Sequence, residues 1–135
     1  MSQPPRATIL VVDDEPGIRQ IVQLRLEFNG YDVLTAENGD QALERARAAQ
    51  PDLILLDVLM PGRSGYDVCR QLKADPATKH IPVVFVTVCR QDDIPPDTGV
   101  GAEAYVSKPF EAQQLLHTIE TMLAGARARR AREPG

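Results

Sequence analysis

Short apolar runs alternate with segments of helical periodicity along almost the whole chain. The run Thr8–Val12 is apolar on both faces, and Leu53–Leu56 is the most apolar run in the sequence. Strands of this kind are typical of parallel sheets, in which helices cover both sides. Because parallel strands need long crossover connections, the alternation predicts a doubly wound α/β domain.

Five strands are predicted, with helices connecting them. The strands correspond to the runs Thr8–Val12, Asp32–Ala36, Leu53–Leu56, Pro82–Val86 and Ala104–Val106. Turn-forming and capping residues mark the helix boundaries: Pro16, Gly30, Asn38, Pro51, Gly62 and Asp75. One apolar face defines the last helix, formed by Leu115, Leu116, Ile119, Met122 and Leu123.

The charges separate an acidic body from a basic end. The formal net charge of the 135 residues is -4, whereas the last ten residues alone carry +3. An acidic body would repel a phosphate backbone, so general nucleic-acid binding by this domain is not expected. Residues 126–132 suit a helical extension and a solvated linker equally well.

The chain is predicted to hold one domain over residues 7–124, between an N-terminal arm at 1–6 and a basic tail or linker at 125–135. It contains no apolar run near the roughly 20 residues of a membrane span, and its start has no signal-peptide pattern. Two cysteines, Cys69 and Cys89, are too few for a disulfide framework. We therefore expect a cytoplasmic domain without membrane contact, with Cys69 in the core. His80 and His117 are expected at the surface.

Polar side chains follow four of the predicted strands. They are Asp13 and Asp14 after the first strand, Asp57 after the third, Thr87 after the fourth and Lys108 after the fifth. Ligands of open parallel sheets bind at the carboxyl ends of the strands. A pair of carboxylates about 4 Å apart repels by about 4 kcal/mol at an effective dielectric near 20, so a cation is required. Lys108 supplies one charge, and oxygen ligands favour Mg²⁺ for the remainder. Helix capping would explain any one of these acids, but not the whole set.

Several segments resemble the motifs of the response-regulator receiver domain of two-component signalling, the chemotaxis-regulator-like fold. They are Asp13–Pro16, Asp57–Gly62, Thr87 and Gly101–Phe110. The resemblance covers about residues 7–124. It implies a flavodoxin-like receiver fold with a five-stranded parallel sheet, and no catalysis beyond the domain's own phosphorylation and dephosphorylation.

The resemblance also implies a role for each site residue. Asp57 would accept a phosphoryl group from the phosphohistidine of a sensor histidine kinase or a phosphotransfer protein. Mg²⁺ would be bound by the carboxylates of Asp14 and Asp57 and by the backbone carbonyl of Leu59, with Asp13 acting through a metal-bound water. Lys108 and the hydroxyl of Thr87 would bind phosphoryl oxygens. Tyr105 would turn inward when Thr87 moves.

The sequence departs from the family between Thr87 and Gly101. Receivers usually have a helix here, but Pro95, Pro96 and Gly99 leave no room for a regular one, since proline costs about 3 kcal/mol inside a helix. We expect a shortened helix or a loop, which also leaves the oligomeric state open. Val88 stands where a small residue is usual. It either narrows the approach to Asp57 and slows phosphoryl transfer, or the neighbouring loop opens to make room.

Two other functional classes compete with the phosphorylated receiver. A receiver-like interaction module that is independent of phosphorylation would not need the complete acidic set with Thr87 and Lys108. A phosphatase of the Asp-x-Asp type would need a second Asp at the position of Leu59. A flavin or nucleotide protein would need a phosphate-binding loop where Asp13 and Asp14 would repel the ligand.

Overall fold

The computed structural model describes residues 7–58, 60, 62, 64–87, 104–107 and 112–132. For residues 87, 104–107, 112 and 126–132 it describes the backbone. The described chain forms five strands and four helices, in the order β1 (Thr8–Val12), α1 (Pro16–Phe28), β2 (Asp32–Ala36), α2 (Gly39–Ala49), β3 (Leu53–Leu56), α3 (Gly65–Ala74), β4 (Val83–Thr87), β5 (Ala104–Ser107) and α4 (Ala112–Arg132).

All neighbouring strands of the sheet are parallel, and their order is β2-β1-β3-β4-β5. The chain therefore winds outward in both directions from the region of β1 and β3, which confirms the predicted doubly wound sheet. β3 is the central strand, as its apolar character predicts. Val12 pairs with Leu56, so β1 and β3 end at the same level.

The alternation of side chains along β3 divides the core into two clusters. Ile54 and Leu56 lie with α2 and α3 on one face of the sheet. Leu53 and Leu55 lie with α1 and α4 on the other face. Each face of a strand can be buried in this way only when helices cover both sides of the sheet. Cys69 is fully buried in the first cluster, as expected.

Local signals in the sequence account for the helix boundaries. Pro16 lies in the first turn of α1. Backbone N–H groups there have no partner within the helix, so the missing N–H of proline costs no hydrogen bond. After α1, Gly30 has a φ of 92°, a conformation that glycine adopts without a steric penalty. The side chains of Asn38 and Ser64 accept hydrogen bonds from backbone N–H groups in the first turns of α2 and α3.

The fourth strand lies one residue later than predicted. β4 begins at Val83 and includes Thr87, so Thr87 is the last residue of the strand rather than the first residue after it. Pro82 has no N–H to donate to the ladder, although its carbonyl accepts the N–H of Ile54 at 3.0 Å. β5 is one residue longer than predicted and ends at Ser107.

α4 continues to Arg132, so the arginine-rich residues 126–132 form a helical extension and not an irregular linker. His80 and His117 are exposed, as expected. The predicted shortening of the helix between β4 and β5 concerns residues 88–103, which lie outside the described residues. Among the described helices, none has both the length and the apolar character needed to cross a membrane.

Candidate functional site

Three carboxylates meet at the carboxyl end of the sheet. One ligand oxygen from each of Asp13, Asp14 and Asp57 lies within 4.8 Å of the others. Asp13 and Asp57 are buried, with 4% and 5% of their surface exposed, whereas Asp14 is more open to solvent. The register explains this convergence, because Asp13 and Asp57 directly follow the paired residues Val12 and Leu56.

Backbone hydrogen bonds continue the sheet past its last paired residues and fix both buried aspartates. The N–H of Asp57 donates to the carbonyl of Val12 at 3.0 Å, and the N–H of Asp13 donates to the carbonyl of Ala36 at 3.2 Å. The Oδ1 atom of Asp13 accepts the N–H of Glu15 at 2.9 Å, which closes a tight turn before α1. The two carboxylates are thus held by the ends of three adjacent strands.

The electrostatics of this cluster favour a cation. Carboxylates about 4 Å apart repel each other by about 1 kcal/mol in bulk water and by more where solvent is excluded. Oxygen ligands and high negative charge are the features that hard divalent ions require. The donor set therefore fits Mg²⁺ by its chemistry.

The remaining predicted site residues differ in how much of them is described. The backbone of Thr87 ends β4 beside Ser107, at the same end of the sheet as the acidic cluster. Tyr105 lies in β5, where it pairs with Phe85 of β4. Leu59 and Lys108 lie outside the described residues, so their predicted roles stay predictions.

Gly65 touches the backbone of Asp57, a contact that the sequence analysis did not identify. A Cβ atom on Gly65 would lie 2.3 Å from the Asp57 carbonyl oxygen and 2.8 Å from the Cα of Val58. The N–H of Gly65 donates to the carbonyl of Val58 at 2.9 Å. A glycine in the first turn of a helix, where better helix formers are available, is the signal that could have drawn attention to it.

Arg19 is a second residue of the site whose role the sequence does not predict. Its guanidinium Nη1 donates to the backbone carbonyl of Asp13 at 2.7 Å. Its Nη2 lies 3.8 Å from the carboxylate of Glu37, after β2. No sequence signal points to this contact, because it depends on how α1 leaves the sheet.

Comparison with known proteins identifies the family. Residues 9–120 match the family described as response regulator receiver domain. Protein PilH of Pseudomonas aeruginosa is 42% identical over 120 residues, which cover 88% of this chain and 99% of PilH. The solved structure of the Vibrio cholerae chemotaxis protein CheY4 has a TM-score of 0.81 and 33% identity, covering 87% of this chain and 99% of that one.

Many matches are to longer proteins. The phosphate regulon transcriptional regulatory protein PhoB of Pseudomonas aeruginosa is 41% identical over 117 residues, which cover 86% of this chain and 51% of PhoB. This chain thus spans about half the length of PhoB and of several other regulators that it matches. With a family match over most of its length and a fold similar to that of CheY4, the chain belongs to the response-regulator receiver domains of two-component signalling systems.

Proposed function

We propose that the carboxylate of Asp57 accepts a phosphoryl group from the phosphohistidine of a sensor histidine kinase or a phosphotransfer protein. The observation that carries the proposal is the convergence of three carboxylates within 4.8 Å at the carboxyl end of the sheet. Asp57 follows the central strand, so neighbouring strands can supply groups from both sides. A cytoplasmic location is part of the proposal.

The transfer exchanges one bond to phosphorus for another. A carboxylate oxygen of Asp57 attacks the phosphorus atom, the bond to the imidazole nitrogen breaks, and that nitrogen keeps the electron pair. Such reactions depend on positioning and on neutralising the charge of the phosphoryl oxygens. The protein must therefore overcome the repulsion between the incoming group and its own acidic cluster.

Mg²⁺ would provide part of this neutralisation when bound. The residues that would hold it are Asp14 and Asp57 through their carboxylates, Leu59 through its backbone carbonyl, and Asp13 through a water. The burial of Asp13 and Asp57 supports this assignment, since two nearby buried carboxylates need positive charge close by.

Lys108 and Thr87 would bind the other phosphoryl oxygens. The end of β4 at Thr87 supports this role, because it brings that residue's backbone to the acidic end of the sheet. Movement of Thr87 toward the phosphoryl group would open space for Tyr105 and alter a surface used for protein contacts. Each charge-assisted contact is worth about 1.5–3 kcal/mol, enough to shift a local equilibrium.

An exposed apolar stripe on α1 fits the phosphohistidine-bearing partner. We call Ile21, Leu24 and Phe28 the α1 stripe; they are 59%, 59% and 92% exposed. Spacings of three and four residues place them on one side of the helix. α1 starts three residues after Asp13, and Ile21 is the stripe residue nearest to that end of the helix. A partner that extends along the stripe toward the start of α1 would reach the acidic end of the sheet. Large apolar side chains exposed on one side of a helix are typical of protein contacts.

Labelling with acetyl phosphate tests the proposed function without a partner. With Mg²⁺ present, intact-mass measurement should show one added phosphoryl group on the wild type, and much less when EDTA removes the metal. Asp57→Asn should abolish the label, because an amide is a far weaker nucleophile than a carboxylate. The exposed Asp67→Asn is the matched control and should label like the wild type. Full labelling of Asp57→Asn would contradict the assignment of Asp57 as the acceptor, whereas a wild type without label would favour the phosphorylation-independent interaction module.

A further inference from the structure

Arg19 is a largely buried cation next to Asp13, and its guanidinium donates a hydrogen bond to a backbone carbonyl. Only 16% of its side chain is exposed, compared with 65% for its ion-pair partner Glu37. The guanidinium donates to the carbonyl of Asp13 at 2.7 Å and lies 3.8 Å from the Glu37 carboxylate. It therefore connects the turn after β1 with the turn after β2.

This contact is one of several hydrogen bonds that hold Asp13. The N–H of Asp13 donates to Ala36 at 3.2 Å, its Oδ1 accepts from Glu15 at 2.9 Å, and its carbonyl accepts from Arg19. The carbonyl of Asp13 and the N–H of Asp14 belong to one planar peptide unit. A hydrogen bond to that carbonyl therefore restrains the peptide unit that joins the Cα atoms of the two acidic residues.

We propose that Arg19 is a positioning residue for the acidic site: by holding the Asp13–Asp14 peptide unit, it keeps both carboxylates directed toward Asp57. This inference rests on the proposed function, since it assigns Arg19 to the same metal and phosphoryl site. A guanidinium suits the role because its planar, rigid set of donors can serve Asp13 and Glu37 together. A lysine ammonium offers a single nitrogen and cannot span both acceptors in the same way.

Positioning and simple electrostatics predict opposite signs for the effect of removing Arg19. A nearby positive charge disfavours Mg²⁺ by Coulomb repulsion, so its removal alone should tighten metal binding. Loss of positioning should weaken metal binding, because groups that orient metal ligands contribute roughly 10–100-fold to affinity. A role in folding alone should lower stability and leave the Mg²⁺ affinity of the folded protein unchanged.

The experiment measures the Mg²⁺ dissociation constant by isothermal titration calorimetry for wild type, Arg19→Gln and Arg19→Lys. The free energy of unfolding in urea with EDTA is measured for the same proteins. Arg25→Gln is the matched control, since Arg25 is exposed on the same helix. We expect Arg19→Gln to raise the dissociation constant about tenfold. Arg19→Lys should raise it less, and Arg25→Gln should leave it unchanged.

Unchanged or tighter Mg²⁺ binding by folded Arg19→Gln would overturn the inference while leaving the proposed function intact. If Arg19→Gln does not fold, Arg19→Lys decides in its place, with a smaller loss of affinity expected and an unchanged affinity contradicting the proposal. A wild type that does not bind Mg²⁺ would overturn the proposed metal site itself, and the role of Arg19 with it.

Discussion

At the scale of single residues, the site depends on two contacts whose partners the sequence alone does not identify. The three aspartates could be predicted because each follows an apolar run, and parallel strands bring their carboxyl ends together. Arg19 and Gly65 contact the backbone of Asp13 and Asp57 from the first turns of α1 and α3. Their roles depend on the angles at which α1 and α3 leave the sheet, which no spacing in the sequence specifies.

Gly65→Ala should impair both stability and phosphorylation. The added Cβ would lie 2.3 Å from the Asp57 carbonyl oxygen, so the backbone that carries the phosphoacceptor must shift. Overpacking of this kind costs about 1–3 kcal/mol. We expect a loss of that size in urea unfolding and a slower rate of labelling by acetyl phosphate.

Gly17→Ala is the control for this substitution. Nothing lies within 4 Å of a Cβ at Gly17, which is also near the start of a helix. Alanine is the better helix former, so stability should stay the same or rise by up to about 1 kcal/mol. If Gly65→Ala and Gly17→Ala have the same free energy of unfolding and the same labelling rate, the close contact of Gly65 with Asp57 affects neither stability nor phosphorylation.

At the scale of elements, the sequence predicted β1, β2 and β3 with their observed bounds, because polar or turn-forming residues limit each apolar run. β4 begins one residue later than predicted. Pro82 continues the apolar pattern but has no N–H to donate to the strand ladder. The α1 stripe could not be predicted from periodicity. Val22 and Leu26 are four residues apart and are the buried residues of α1. Ile21 directly precedes Val22 in the same apolar pattern, yet it is 59% exposed because the sheet covers only one side of the helix.

Substitutions in the α1 stripe should separate partner docking from intrinsic chemistry. Leu24→Ser and Phe28→Ser remove exposed apolar surface, so stability should change by about 0.5 kcal/mol or less. Labelling by acetyl phosphate should be unaffected. Phosphoryl transfer from a purified histidine kinase that phosphorylates the wild type should slow about tenfold, the range for a contact worth more than 1 kcal/mol at an interface.

Gln20→Ser serves as the control, because Gln20 is exposed on α1 and is not apolar. It should leave both the acetyl phosphate rate and the kinase rate unchanged. If the two stripe variants accept phosphoryl groups from the kinase as fast as the wild type, the partner contacts a different surface.

At the scale of the whole molecule, the acidic cluster makes stability depend on metal. Three carboxylates at one end of the sheet repel one another in the folded state and are far apart in the unfolded chain. A ligand that binds only the folded state raises stability by mass action, by about 2.7 kcal/mol at a hundred times its dissociation constant. Binding of the cation should therefore restore the free energy of unfolding that the repulsion between the carboxylates removes.

Thermal melts of Asp14→Asn should show both the repulsion between the carboxylates and its relief by Mg²⁺. Without Mg²⁺ the variant should melt at a higher temperature than the wild type, because removing one charge relieves repulsion on the order of 1 kcal/mol. Addition of millimolar Mg²⁺ should raise the melting temperature of the wild type and leave that of Asp14→Asn nearly unchanged. An equal rise in both proteins would mean that Mg²⁺ acts elsewhere on the molecule.

Of the three adjacent carboxylates, we propose that Asp57 accepts the phosphoryl group. The most direct measurement labels the protein with acetyl phosphate and Mg²⁺, reduces the acyl phosphate with borohydride, and maps the resulting homoserine by peptide mass spectrometry. We expect homoserine at position 57, with Asp13 and Asp14 unmodified. Homoserine at position 13 or 14, or no homoserine in a protein that carries the label, would contradict it.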